Sequence, residues 1–335
     1  MKAKGVYAVA KDTVEVKDFD IDEAQIEPNR MLVKTLYSAI SPGTEMDCVS
    51  GKESGWFHFS QQLGYCSVVE IAAAGEAVSE YKKGDVVLTQ TSHASHHLID
   101  TEFVRAKVPG AIPAKTAVWT HMALISMTAL RASRADLGDT AVVLGQGIVG
   151  NFAAQLFRSQ GCRVIAVDRI ASRLDIAKRC GIEMVVDASA EDAVEAVKKL
   201  TDGRGAEIIV EATGIAAVAL NAIDMAAQNA EMIQLGTPRG SYEADVAPLL
   251  RAVHRASPNL TMKGAHGGSI PAAPNQFMKH SLARNARIIL DMIERGELHV
   301  EPLLTRTIKP EEAPQAYRDL RDHPESTLAI PIGWG

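Results

Sequence analysis

What this chain of 335 residues lacks narrows its identity before any motif is read. Its cysteines, Cys48, Cys66, Cys162 and Cys180, are scattered and form no Cys-x-x-Cys pair. That excludes a disulfide framework and a four-cysteine zinc module, and it points to the reducing cytoplasm. No apolar run reaches the roughly 18 residues needed to cross a bilayer. The opening MKAKGVYAVA has neither the apolar core nor the cleavage site of a signal peptide, and its alternation reads as a first strand. There is no block of lysine and arginine, and the formal net charge is −6, so nothing attracts a nucleic acid. Aromatic residues make up only 5%, which gives little support for a large stacking pocket. The expected partner is a small-molecule substrate, with no nucleic acid and no membrane.

What is present is an ordinary globular composition, 47% hydrophobic and 23% charged, in a length that allows two domains. The most informative stretch is TAVVLGQGIVGNFAAQLFRSQGCRVIAVDR, residues 140 to 169. Ala141 to Leu144 is apolar and too short for a helix, as a buried parallel strand is. Gly145, Gly147 and Gly150 follow in the spacing G-x-G-x-x-G. Ile148 to Gln160 reads as a helix with Val149, Phe152, Ala153 and Leu156 on one face, and Arg163 to Val167 as a second strand closed by Asp168.

That order has a physical purpose. Gly145 permits the tight turn, Gly147 lets the backbone approach a pyrophosphate, and Gly150 lets the helix pack close to the sheet. Free N–H groups of the helix start, at Ile148 and Val149, hold phosphate charge. Asp168, 18 residues beyond Gly150, suits the two adenosine ribose hydroxyls and repels a 2′-phosphate. The cofactor expected is NAD, with Arg169 beside the acid blurring the preference against NADP.

The alternation continues through GIEMVVDAS (strand), AEDAVEAVKKL (helix), AEIIVEATG (strand), AAVALNAIDMAA (helix) and AEMIQLG (strand). This is the pattern of an α/β fold with a doubly wound parallel sheet, whose ligands sit at strand carboxyl ends. Thr213, Gly214, Leu235 and Gly236 lie at such ends, and Arg173 and His266 complete the set expected to border the cofactor. The first ~110 residues differ, with short strand-like segments such as RMLVKTLYSAI, YCSVVEIAAAG and GDVVLTQTS between turns. From about residue 275 a helix, ARIILDMIERG, and a closing strand, STLAIPIGWG, return.

On the motifs SPGTE, LGYCSVVEIAAAGEAVSEYKKGDVV, VVLGQGIVG, VIAVDR, EIIVEATG and LTMKGAHGG, the chain resembles the medium-chain dehydrogenase/reductase family of zinc alcohol and polyol dehydrogenases. The resemblance implies a GroES-like β-rich catalytic domain in two parts, residues 1–120 and 267–335, flanking an NAD-binding Rossmann domain at 121–266. It implies an active site between the domains and a homodimer or homotetramer. The loop S-x-I-S-x-G-T-E also resembles that of bacteriochlorophyllide-type hydroxyethyl dehydrogenases.

The zinc ligands of that family are not matched. Tyr65 stands where the family has histidine, Cys66 where it has glutamate, and Pro42 or Ser41 where it has cysteine. A site rebuilt from His93, His96 and His97 with His58 and His121 is disfavoured, since adjacent strand residues point to opposite faces. No metal is expected. The resemblance matches Thr44 to the proton-relay hydroxyl, Glu45 to a supporting carboxylate and His93 to a substrate-pocket position, a residue type suited to proton transfer near neutral pH. Tyr65 is expected to touch the substrate oxygen, and Ser41, Trp56, His58 and His121 to line the substrate pocket. The function expected is a zinc-independent, NAD(H)-dependent dehydrogenase of a secondary alcohol such as a polyol, cyclitol or sugar derivative. The alternatives are an NAD(P)H-dependent quinone or enone reductase and a non-catalytic dinucleotide-binding redox sensor.

Overall fold

Short apolar–polar alternations between Lys2 and Lys107 form antiparallel strands in the computed structural model, which describes residues 1–23, 26–52 and 57–335. They are β1 (Lys2–Ala10), β2 (Thr13–Asp20), β3 (Arg30–Ala39), β4 (Gln61–Gln62), β5 (Ser67–Ala74), β6 (Val86–Thr89), β7 (His96–Asp100) and β8 (Val104–Lys107). Along β3 the period of two sends Met31 and Val33 into one core with Val69, Ile71 and Val87, and Leu32 into another with Ala3 and Ile21. After β3 the chain turns at Pro42–Gly43 and starts α1 (Thr44–Ser50), so Thr44 and Glu45, expected in a loop, open a helix instead. Pro42 cannot continue the strand ladder, and Gly51 in the left-handed region ends the helix. Then come α2 (Ala114–Ala117) and α3 (Thr120–Ala132).

The next strands are β9 (Thr140–Leu144), β10 (Arg163–Asp168), β11 (Met184–Asp187), β12 (Ala206–Glu211), β13 (Ala226–Gln234) and β14 (Thr261–Gly264). They form one parallel sheet in the order β11-β10-β9-β12-β13-β14, the doubly wound arrangement. The connecting helices are α4 (Ile148–Ser159), α5 (Ala171–Arg179), α6 (Ala193–Leu200), α7 (Ala216–Asn221) and α8 (Ala247–His254). The central strands β9, β10 and β12 carry continuous apolar runs because both of their faces are covered. Ala141, Val143, Val164 and Ala166 enter one core, while Val142, Leu144, Ile165 and Val167 enter the other. One expectation fails here: residues 216–227 are not a single helix. The helix stops at Asn221, a 3₁₀ turn follows, and β13 begins at Ala226, where Ala226 pairs with Ala206.

The chain closes with α9 (Leu282–Glu294), α10 (Ala313–Asp322) and β15 (Pro331–Gly333), which pairs with the end of β3. Ser281 caps α9 by accepting from the Arg284 N–H at 3.1 Å. Two compact units result: residues 1–122, 271–296 and 303–335 in unit 1, and residues 123–270 and 297–302 in unit 2. Residues 297–302, expected with the C-terminal part, belong to unit 2. The Gln155 amide holds the His299 backbone from both sides, donating to its carbonyl at 3.0 Å and accepting from its N–H at 2.7 Å. No helix of the described residues is long and apolar enough to cross a membrane.

Candidate active site

Unit 2 carries an open cavity of about 1100 Å³ at the carboxyl ends of its strands, lined among others by Gly145, Gly147, Asp168, Arg169, Arg173 and Thr213. Gly145 adopts φ +90°, which favours glycine. A Cβ at Gly150 would overlap the Gly145 carbonyl oxygen, whereas one at Gly147 would meet nothing within 4 Å. The turn is therefore tight on its inner side and bare on its outer side, as a backbone that receives a pyrophosphate must be. Asp168 is oriented by its own backbone contacts: it accepts from the Gln146 N–H at 2.6 Å and the Ile170 N–H at 2.9 Å. Arg173 lies beside it, and burial lowers the guanidinium's pKa while Asp168 pulls it back up.

The neighbouring strand end is fixed by Glu211, which is fully buried. It accepts from the Thr213 N–H and hydroxyl, from the Gly214 N–H at 3.1 Å and from the Gln234 amide at 2.7 Å. Ile148 and Gly150 are buried at the helix start, Val149 is partly buried, and Gly214, Leu235 and Gly236 shape the turns rather than the cavity wall. His266 is exposed, and its Nδ1 accepts from the Gly268 N–H. Sequence reasoning missed Ala188, Ser189, Asp192 and Lys198 of the cavity wall. The signal was available, since the expected strand GIEMVVDAS ends at Ala188 and Ser189.

In unit 1 a separate polar cluster forms around α1. The Tyr65 hydroxyl donates to Ser41 Oγ at 2.7 Å, and Thr44 stands close enough to hydrogen-bond the same phenol. Burial pushes the Tyr65 phenol far above its ordinary pKa; these two hydrogen bonds oppose that only in part. Behind them lies Glu45, 2% exposed, accepting from the Ser41 N–H at 2.8 Å, from the Tyr317 hydroxyl and from His93 Nε2 at 3.0 Å. His93 is fully buried, and its Nδ1 is 2.8 Å from Ser38 Oγ; that oxygen accepts from Trp334 Nε1 at 2.9 Å. A Cβ at Gly64 would strike the His93 ring, so glycine makes room for it. Tyr317 and Trp334, far away in sequence, were missed because nothing local marks them.

The structure thus brings Ser41, Thr44, Glu45, Tyr65 and His93 together, but not in the roles expected of all five. Both His93 nitrogens are engaged inside the protein, which leaves neither for a substrate oxygen. His121 joins the cluster, its ring edge-on to Tyr65 at 5.5 Å between centroids. His58 is exposed, and Trp56 lies outside the described residues.

Comparison with known proteins agrees with this architecture. A family described as zinc-binding dehydrogenase matches residues 149–282. D-guloside 3-dehydrogenase of Escherichia coli strain K12 is 28% identical over 296 residues, covering 85% of this chain and 80% of that protein. These matches support membership of the medium-chain dehydrogenase/reductase family. The chain is an oxidoreductase of the alcohol dehydrogenase type. Two solved structures share the fold over 99% of both chains: a zinc-binding dehydrogenase of Sinorhizobium meliloti 1021 bound to NADP, with TM-score 0.83 and 18% identity, and an alcohol dehydrogenase of E. coli CFT073 with NADH, with TM-score 0.82 and 16% identity.

Zinc, which family membership brings into question, does not fit the residues present. A catalytic zinc takes about three ligands from Cys, His, Asp or Glu. Among the described residues no group of three such side chains is placed to hold a metal ion. Tyr65 is a phenol held protonated, and the buried Cys66 thiol is pushed well above its ordinary pKa by burial and then by Glu45.

Proposed function

We propose that this protein is a zinc-independent, NAD-dependent dehydrogenase that interconverts a secondary alcohol and its ketone, the alcohol being a polyol, cyclitol or sugar derivative. The observation that carries the reading is the Tyr65 hydroxyl, held by Ser41 with Thr44 beside it, in the position where relatives by resemblance have a zinc-binding histidine. NAD, when bound, would accept the hydride from the alcohol carbon; Gly145, Gly147, Asp168 and Thr213 would hold it. The preference for NAD over NADP rests on Asp168, whose carboxylate faces the cavity and would repel a further phosphate.

The residues of unit 1 divide the remaining work. A phenol with a raised pKa stays protonated at neutral pH, and when substrate binds its one hydrogen bond would turn from Ser41 Oγ to the substrate oxygen, strengthening as alkoxide character develops there. The Thr44 hydroxyl takes the substrate proton and passes one on to water, so the proton lost by the alcohol leaves without a metal or a charged base. Glu45 sets the loop by holding the Ser41 N–H, and His93 anchors Glu45 rather than carrying the proton. Incubation with NAD⁺ and a panel of polyols, cyclitols and reduced sugars, followed by NADH absorbance, tests the reading. Absence of turnover on every secondary alcohol, in both directions, would refute it.

The same proposal includes a cytoplasmic homodimer or homotetramer. The four cysteines are buried and none is joined in a disulfide among the described residues, which suits a reducing compartment. In unit 2 the edge strand β14 exposes Met262 (41%), and α8 exposes Leu250 (61%), apolar surface of the kind that a second subunit covers.

A further inference from the structure

His121, the second residue of α3, keeps 8% exposure, whereas Trp119 and Thr120 before it keep 1% and 0%. Its Nδ1 has no hydrogen-bond partner among the described residues. A buried polar atom without a partner is costly, and a ligand atom is one partner that can complete it. The ring also leans edge-on against Tyr65, the group proposed to hold the reacting oxygen. Two side chains in contact, one donating to the oxidised hydroxyl and one with an open nitrogen, are suited to adjacent hydroxyls of one small molecule.

The charged group facing this ring is Arg105 of β8, whose guanidinium is engaged with the Glu102 carbonyl at 2.6 Å and with Gln90 Oε1 at 2.5 Å. Burial, then the Arg105 charge, pushes the His121 imidazole down to about 4, so the ring is neutral in ordinary buffers. It can accept or donate one hydrogen bond, but it is a poor proton store. With Tyr65, Ser41 and Thr44 it makes a set of uncharged partners.

We propose that His121 reads a second hydroxyl, adjacent to the one oxidised, and makes the enzyme selective for neutral vicinal diols over simple secondary alcohols. This rests on the reading of Tyr65 as the partner of the reacting oxygen. It separates His121 from His93: His121 binds substrate directly, while His93 only positions Glu45.

The test is kcat/KM with NAD⁺ for two matched pairs, 2,3-butanediol against 2-butanol and myo-inositol against cyclohexanol. The native protein is expected to prefer the hydroxylated member of any pair it oxidises by about three- to tenfold, the scale of one neutral hydrogen bond. His121→Leu should bring that ratio close to one, chiefly through KM, with kcat changed only a few-fold. His121→Asn, which restores a donor and an acceptor, should recover part of the preference. NADH fluorescence titration of each variant confirms a folded cofactor domain, and a Leu variant that fails to fold leaves the Asn variant and the native ratio to decide. A native preference for the simple alcohols, a preference that survives in His121→Leu, or a loss confined to kcat would overturn the inference while leaving the dehydrogenase reading intact. Oxidation of neither member of either pair, nor of any other secondary alcohol, would overturn both.

Discussion

The Tyr65 hydroxyl is the atom on which the proposed chemistry turns. If it donates to a developing alkoxide, Tyr65→Phe removes a contact strongest in the transition state, and Thr44→Val removes the path by which the proton leaves. Each is expected to lower kcat by about 10²-fold while leaving NADH affinity nearly unchanged. Stopped-flow hydride transfer with fluorescence titration of NADH checks both halves; a near-native rate in Tyr65→Phe would reduce the phenol to a space-filler. At the cofactor, Asp168→Ser is expected to narrow the preference for NADH over NADPH, measured as the ratio of dissociation constants. The glycines and Asp168 were legible in the sequence because their chemistry is local, set by spacing along one strand, turn and helix. The engagement of His93 was not legible: it depends on Ser38, Glu45, Tyr317 and Trp334, which only the tertiary fold assembles.

That assembly belongs to the scale of elements, where α1, α10 and the C-terminal segment meet at Glu45. Tyr317→Phe removes one donor from a buried carboxylate and keeps the ring in place. It is expected to cost about 1–3 kcal/mol, read as a lowered Tm, with no change in NADH binding. Gly150→Ala tests the other unit, because the added methyl overlaps the Gly145 carbonyl oxygen. It should force α4 away from the turn and weaken both the fold and NADH binding. The central parallel strands β9, β10 and β12 were legible because burial on both faces makes their runs continuously apolar. The helix expected over 216–227 was not, since Ala226 and Ala227 suit helix and strand alike and pairing with β12 decides. Thr44 was likewise read as loop because Pro42–Gly43 conceals a helix only seven residues long.

At the scale of the molecule, acid should loosen the fold in a defined window. His121 has its pKa pushed down to about 4 by burial and then Arg105, against about 6.5 in the unfolded chain. Between those values the unfolded chain holds more protons, so this stabilisation is complete above about pH 6.5 and is lost progressively as pH falls toward 4. The loss is about 1.4 kcal/mol per pH unit for such a group, and His121→Asn should flatten the Tm profile across that range. Size-exclusion chromatography with light scattering should find an assembly larger than 36 kDa, and Leu250→Glu with Met262→Asp should shift it toward monomer. Oligomeric state was expected from resemblance alone, because no short motif encodes a surface.

The most direct test of the central claim is turnover of the metal-depleted protein. After dialysis against a chelator, with zinc measured at well under one per chain, the rate of secondary-alcohol oxidation by NAD⁺ is expected to equal that before treatment. Loss of activity that returns on adding stoichiometric zinc would contradict the Tyr65–Thr44 mechanism.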